Sequence, residues 1–152
     1  MNQWVGKTPV RIWSLMVLLV CGSLDGLQAQ SPSGSLLIRM GAGDGARIFA
    51  GGGQQVTEIR LGLPAPPGPS NAGLALLPPG GRLQSICCTQ APGLQCLTER
   101  SVTLGTREKD VLARYGPPKN IDGGVWFYSG INFRLGPKNA GPLVDQICVV
   151  PR

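Results

Sequence analysis

SVTLGTREKDVLARYGPPKNIDGGVWFYSGINFRLGPKNAGPLVDQICVV, residues 101–150, is the stretch that settles how the chain is read. Thr106 is placed to cap a helix, its hydroxyl accepting a bond from an unpaired amide of the first turn. Glu108 follows, near the positive end of the helix dipole. Val111, Leu112 and Tyr115 fall on one face, and Arg107, Lys109 and Arg114 fall mostly on others. Gly116 can take the left-handed conformation that ends a helix, and Pro117 cannot continue one. The pattern predicts a short helix over about 107–115.

A loop at 119–124 leads into VWFYSGINFRL, residues 125–135. Val125 and Phe127 alternate with Trp126 and Tyr128, so both faces carry apolar groups, and Gly130 then marks a bulge or a kink. Ile131 and Phe133 point one way and Asn132 and Arg134 the other, as in a half-buried strand. GPKNAGP is a turn-rich connection. LVDQICVV follows as a strand, with Val144, Gln146, Cys148 and Val150 on one face and Leu143, Asp145, Ile147 and Val149 on the other. Connections this short favour antiparallel pairing, because a parallel crossover needs about a dozen residues or more.

Far upstream, Lys7 and Arg11 precede the apolar run IWSLMVLLV, and small and polar residues follow as far as LQAQ. This is the layout of a secretory signal, with cleavage expected after Ala29. The run falls short of the roughly 20 residues a membrane span needs. Leu18-Leu19-Val20-Cys21-Gly22-Ser23 resembles a lipoprotein processing motif, which makes Cys21 a candidate for lipidation. Val20 departs from that motif, which carries Gly, Ala or Ser there.

Without residues 1–29 the chain keeps 12 basic and 7 acidic side chains, a net +5. A mild, scattered excess of this kind suits contact with an acidic partner or simple solubility. No Lys/Arg run and no interleaved aromatics point to nucleic acid. Membrane contact is expected only through a lipid on Cys21. Cys87, Cys88, Cys96 and Cys148 remain, an even number that suggests disulfides in an exported chain, with three connectivities open. Cys88 and Cys96 flank the turn signal Ala91-Pro92-Gly93, which suits a bridge across a hairpin. There is no histidine and no Cys-x-x-Cys spacing, so zinc and cofactors are not expected.

The earlier half reads as a blurred copy of the later one. SLLIRM is a strand, and GAGDGA after it imitates a dinucleotide-binding fingerprint, but no helix opens at Ala46 and the context fails. RIFAGGGQQVTEIRLGLP (47–64) aligns with SVTLGTREKDVLARYGPP (101–118) without a gap. Gly73-Leu74-Ala75-Leu76 then matches Gly130-Ile131-Asn132-Phe133, and the five residues ending at Cys87 match the five ending at Cys148. The expected order in both halves is short helix, Gly-Pro end, strand, turn, strand. A Cys87–Cys148 bridge would tie the halves together. The fold class is thus α+β, with short helices packed on an antiparallel sheet in two degenerate tandem units, 30–98 and 99–152, after a signal peptide at 1–29.

Leu104-Gly105-Thr106, Val111, Tyr115-Gly116-x-Pro118, Tyr128, Gly130-Ile131-x-Phe133 and Val144-x-x-Ile147 together look like the SmpA/OmlA small outer-membrane lipoproteins. The same set resembles the tandem-repeat β-lactamase-inhibitor-protein fold. The resemblance implies a layered helix-and-sheet unit, an envelope or extracellular location, and function through protein contacts.

Without histidine no Ser-His or Cys-His pair can form, and Glu108 and Asp110, two apart on the predicted helix, do not face each other. An enzyme is therefore not expected, and no catalytic residue is assigned. Trp126, Phe127, Tyr128 and Phe133 are the main aromatic content of the later half. They suit the core of a small sheet, or an exposed patch that grips a partner. In the second case the partner-binding residues are Trp126 and Tyr128, with Arg114 and Arg134 beside them. The expected function is an exported, non-enzymatic protein-binding or envelope scaffold protein acting through a sheet face. The alternative is a small secreted enzyme inhibitor.

Overall fold

The computed structural model describes residues 35–67, 72–137, 139 and 141–152. The expected signal peptide, its cleavage point and Cys21 lie outside the described residues. From residue 35 onward the described chain packs as one unit, rich in strand and with a single short helix.

Three strands form a meander: β1 (Leu36–Gly41), β2 (Gly45–Phe49) and β3 (Gln55–Arg60). β1 buries Ile38 and Met40 and turns Arg39 outward, the period-2 alternation of a strand with one wet face. Gly41 and Gly45 bracket the β1–β2 turn, so GAGDGA is a hairpin connection. β6 (Leu94–Thr98) then pairs with β1 in parallel, giving a first sheet of order β3-β2-β1-β6. All-antiparallel pairing was the expectation, and this one pair departs from it.

The second sheet is antiparallel throughout. It contains β4 (Leu74–Leu77), β5 (Ser85–Thr89), β7 (Asn120–Asp122), β8 (Val125–Phe127), β9 (Ile131–Leu135) and β10 (Val144–Val149), in the order β4-β5-β10-β9-β8-β7. The predicted loop at 119–124 is mostly a hairpin. Gly123 and Gly124, with φ of 54° and 81°, make the two-residue turn whose twist matches paired strands. Gly130 is likewise the end of a turn between β8 and β9 and not a kink within one strand.

Strand β10 corrects the expected alternation. Its register against β9 jumps between Val144 and Gln146, a bulge that leaves Asp145 unpaired. Val144 therefore points inward with Ile147 and Val149. The extra residue is used, because Arg134 Nε donates to Asp145 Oδ1 at 2.7 Å.

The helix α1 (Glu108–Tyr115) lies where it was predicted, but it starts differently. Thr106 does not cap it; its hydroxyl accepts the Thr103 amide at 2.9 Å. The Glu108 amide is instead satisfied by the Pro142 carbonyl at 3.1 Å, and Val144 and Thr106 pair beside it. Tertiary contact thus replaces the local cap. The buried face is narrower than expected: Val111 is inside, Tyr115 is half-buried, and Leu112 is 38% exposed. Tyr115 meets Tyr128 at a tilt and Phe133 edge-on, at 5.3 and 5.0 Å between ring centroids. At the far end Gly116 has φ 76° and its carbonyl accepts the Tyr128 hydroxyl at 2.9 Å.

Residues 47–64, aligned above with the helix region, form β2 and β3 and no helix. Val56, Thr57 and Ile59 are β-branched, and Ile59 is buried between exposed Glu58 and Arg60, so the segment suits a half-buried strand. The later matches are strands in both halves: β4 pairs with β5, β9 pairs with β10, and the two pairs meet along β5–β10. The element order of the two halves nonetheless differs at the helix, so two like tandem units are not shown.

One core draws on the inner faces of both sheets. Ile38, Met40 and Ile48 come from the first, and Ile86, Phe133 and Ile147 from the second. Cys88 on β5 bridges Cys96 on β6, at a Cα separation of 6.5 Å. These strands belong to different sheets, so this bridge spans the layers and not a hairpin. Cys87 bridges Cys148, its direct partner in the β5–β10 register, at a Cα separation of 4.1 Å. The layers also meet at Gly130, whose carbonyl accepts the Gly43 amide at 2.8 Å and the Val150 amide at 3.1 Å.

Gly130 has φ 80°, and a Cβ there would lie 2.5 Å from the Gly43 nitrogen. Gly130→Ala is therefore expected to lower stability by more than about 2 kcal/mol in urea denaturation, from a left-handed backbone and a collision together. Gly93→Ala, at φ 71° with open space around it, is expected to cost only about 1 kcal/mol. Replacing Cys87 and Cys148 by Ala opens a bridge with a sequence separation of 61. The same measurement should show a loss of about 4 kcal/mol, the chain-entropy value for a loop of that length.

Candidate functional site: the outer face of the first sheet

With Ile38, Met40, Ala46, Ile48 and Ile59 turned into the core, the intervening positions of β1, β2 and β3 face outward. Register lines them up in rows. Leu97, Arg39, Arg47 and Glu58 stand in one row across β6, β1, β2 and β3. In the next row Gly41 stands opposite Gly45, and Gly45 opposite Arg60. The Glu99 carboxylate lies over Gly41, and Gly45 is buried against the Ile59–Arg60 backbone of β3. The face carries a cleft of 860 Å³, lined by Arg39, Arg47, Arg60, Glu58, Asp44 and Glu99 among others.

Both signs occur in each row: Arg39, Arg47 and Glu58 in the first, Arg60 and the Gly41-flanking Glu99 in the second. Glu58 Oε1 receives Arg60 Nε and Nη2 at 3.2 Å each and Arg47 Nε at 3.5 Å. The Arg60 hydrogen bond, helped by the Arg60 and Arg47 charges, holds the Glu58 carboxyl below its ordinary 4.5. Arg39 lies over the Phe49 ring, 5.2 Å from its centroid, and has no carboxylate partner among the described residues. It stands directly opposite Arg47, and like charges so placed repel. At the other end the Glu99 carboxylate flanks Gly41, with the Asp44 side chain near by: a Cβ on that glycine would be 3.2 Å from Glu99 Oε1 and 3.9 Å from Asp44 Cβ.

The β1–β2 turn offers no amide cradle for a phosphate. The Gly43 amide is given to Gly130 and the Asp44 amide to Gly41. Recognition in this cleft falls to guanidinium and carboxylate groups. Among the described residues no three His, Cys, Asp or Glu side chains gather to hold a metal ion, and none of their helices is long and apolar enough to cross a membrane.

The four side chains proposed from sequence as partner contacts are placed elsewhere. Trp126 is 6% exposed and belongs to the core, so it cannot grip a partner as it stands. Tyr128 is half-buried and tied to Gly116. Burial raises its phenol above 10, and burial raises Tyr115 likewise. The stability this lends is full below pH 10 and is lost as pH rises through the raised values. Arg114 is exposed, but its guanidinium donates to the carbonyls of Ser101 and Arg100, fastening the helix end to the preceding loop. Arg134 is exposed and paired with Asp145. None of these four lines the first-sheet cleft.

No family model matches the chain, and neither a characterised protein nor a solved structure matches it. A signal for the cleft was present in the sequence: Ile38-Arg39-Met40, Ala46-Arg47-Ile48 and Ile59-Arg60 each set an arginine beside core positions of a strand. Which strands would be neighbours, and hence which arginines would meet, was not in the local pattern.

Arg60→Ala is expected to raise the Glu58 carboxyl toward 4.5, read by carboxyl-detected NMR titration, because its largest stabilising contact is removed. In the intact protein the Glu58 contribution is present above the unfolded value and fades as pH falls through the lower folded one.

Proposed function

We propose that this chain is an exported, non-enzymatic protein-binding module that docks its partner on the outer face of the first sheet. The observation that carries the reading is Arg39 opposite Arg47, with one of the two left without a carboxylate. Such a like-charge pair costs about 0.2–1 kcal/mol of fold stability. An external group that neutralises it would recover that cost on binding. The face is stiffened by its own hydrogen-bonded ladder and fastened to the second sheet through Cys88–Cys96. A preorganised surface of this kind loses little on association.

Two cysteine pairs at bridging distance suit an oxidising, non-cytoplasmic compartment. That supports the export expected from residues 1–29.

The test uses the wild-type chain and an Arg39→Ala, Arg47→Ala double variant as immobilised baits for an envelope extract, at about 150 mM salt where long-range charge effects are screened. Quantitative mass spectrometry is expected to show a protein retained by the wild type and depleted severalfold on the variant. Equal recovery on both baits, with circular dichroism showing both folded, overturns the reading.

A further inference from the structure

We infer that the partner enters this cleft as an extended segment bearing an acidic side chain at one position and a basic one two residues later. The inference rests on the docking role proposed above and adds the chemistry of the partner. Arg39 and Gly41 are successive outward positions of β1, about 6.6–6.8 Å apart along the strand. The Glu99 carboxylate fills the space above Gly41, with Asp44 next to it. Arg60, across Gly45 in the same row, is held by Glu58, so along β1 itself the face reads positive at Arg39 and negative at Gly41. An extended peptide lying along β1 presents its own alternate side chains at the same spacing. Its carboxylate would sit between Arg39 and Arg47, and its ammonium or guanidinium between Asp44 and Glu99.

Three features select this occupant. Glu58 shows within the molecule how two neighbouring arginines on this sheet hold one carboxylate, through contacts of 3.2 and 3.5 Å. Gly41 carries no side chain, so the Glu99 carboxylate lies directly over the β1 backbone, where a cation on the occupant can meet it. Asp44 and Glu99 repel a continuous run of negative charge, so a polyanion matches only half of the cleft.

Fluorescence anisotropy on the intact protein, with labelled hexapeptides in a threonine background, tests the pattern. The probes carry Glu-Thr-Lys, Glu-Thr-Glu or Lys-Thr-Lys at the centre. The wild type is expected to bind the Glu-Thr-Lys probe about fivefold more tightly than either of the others. Arg39→Ala with Arg47→Ala should weaken that probe about tenfold. Asp44→Lys with Glu99→Lys should invert the order in favour of Glu-Thr-Glu, and the milder Asp44→Asn with Glu99→Gln should abolish the preference. Equal or tighter wild-type binding of Glu-Thr-Glu, still dependent on Arg39 and Arg47, overturns the mixed-charge partner and leaves the docking face standing. Tighter arginine-dependent binding of a heparin oligosaccharide than of every peptide overturns it in favour of a polyanion. Peptide binding that ignores Arg39 and Arg47, or no binding up to about 1 mM, overturns the mixed-charge partner; the extract experiment then decides separately whether the face docks anything.

Discussion

Neighbouring residues on a strand leave it in opposite directions, and in β5 two such neighbours are both cysteines. Cys88 points into the core and reaches Cys96 in the other sheet. Cys87 points the other way and reaches Cys148 on the adjacent strand. One bridge fixes the layers against each other, and the other fixes the central strand pair of the six-stranded sheet. A slip of one residue in the β5–β10 register would turn Cys88 out of the core and Cys87 into it, and both bridges would fail together. The paired cysteines thus hold register as well as proximity, and the first sheet's outer face has a defined position because of them.

Local pattern went a long way in the later half. The helix ended where Gly116 and Pro117 end it, and Ile131 and Phe133 against Asn132 and Arg134 divided as alternation requires. The failures there have particular causes. Thr106 has the chemistry of a cap, yet the Pro142 carbonyl supplies what the helix start needs from across the fold. Alternation in β10 breaks at Asp145, because a bulge adds a residue that no period-2 count contains. In the earlier half the gapless alignment with the helix was outweighed by Val56, Thr57 and Ile59, whose branched side chains pack well on a pleated surface.

The binding face was less legible than the fold. Aromatic residues drew attention to Trp126 and Tyr128, but in so small a protein the largest side chains are needed to fill the interior. The arginines that form the cleft are spread over 22 residues of sequence, with a hairpin and a further strand between them. They meet only because β1, β2 and β3 lie side by side, and register cannot be read from any one of those strands alone. Glu99 is more remote still, brought next to Gly41 by the parallel pairing of β6 with β1.

That parallel pair and the position of β10 bear on how the chain acquires its shape. β10 is last in sequence yet lies inside its sheet, between β5 and β9. The β4–β5 and β9–β8–β7 segments have no shared neighbour until it arrives. Contacts so distant along the chain are slow to form, since loop closure must precede any gain from pairing. A polypeptide emerging from the ribosome would therefore leave its larger sheet divided until almost all of it had been made.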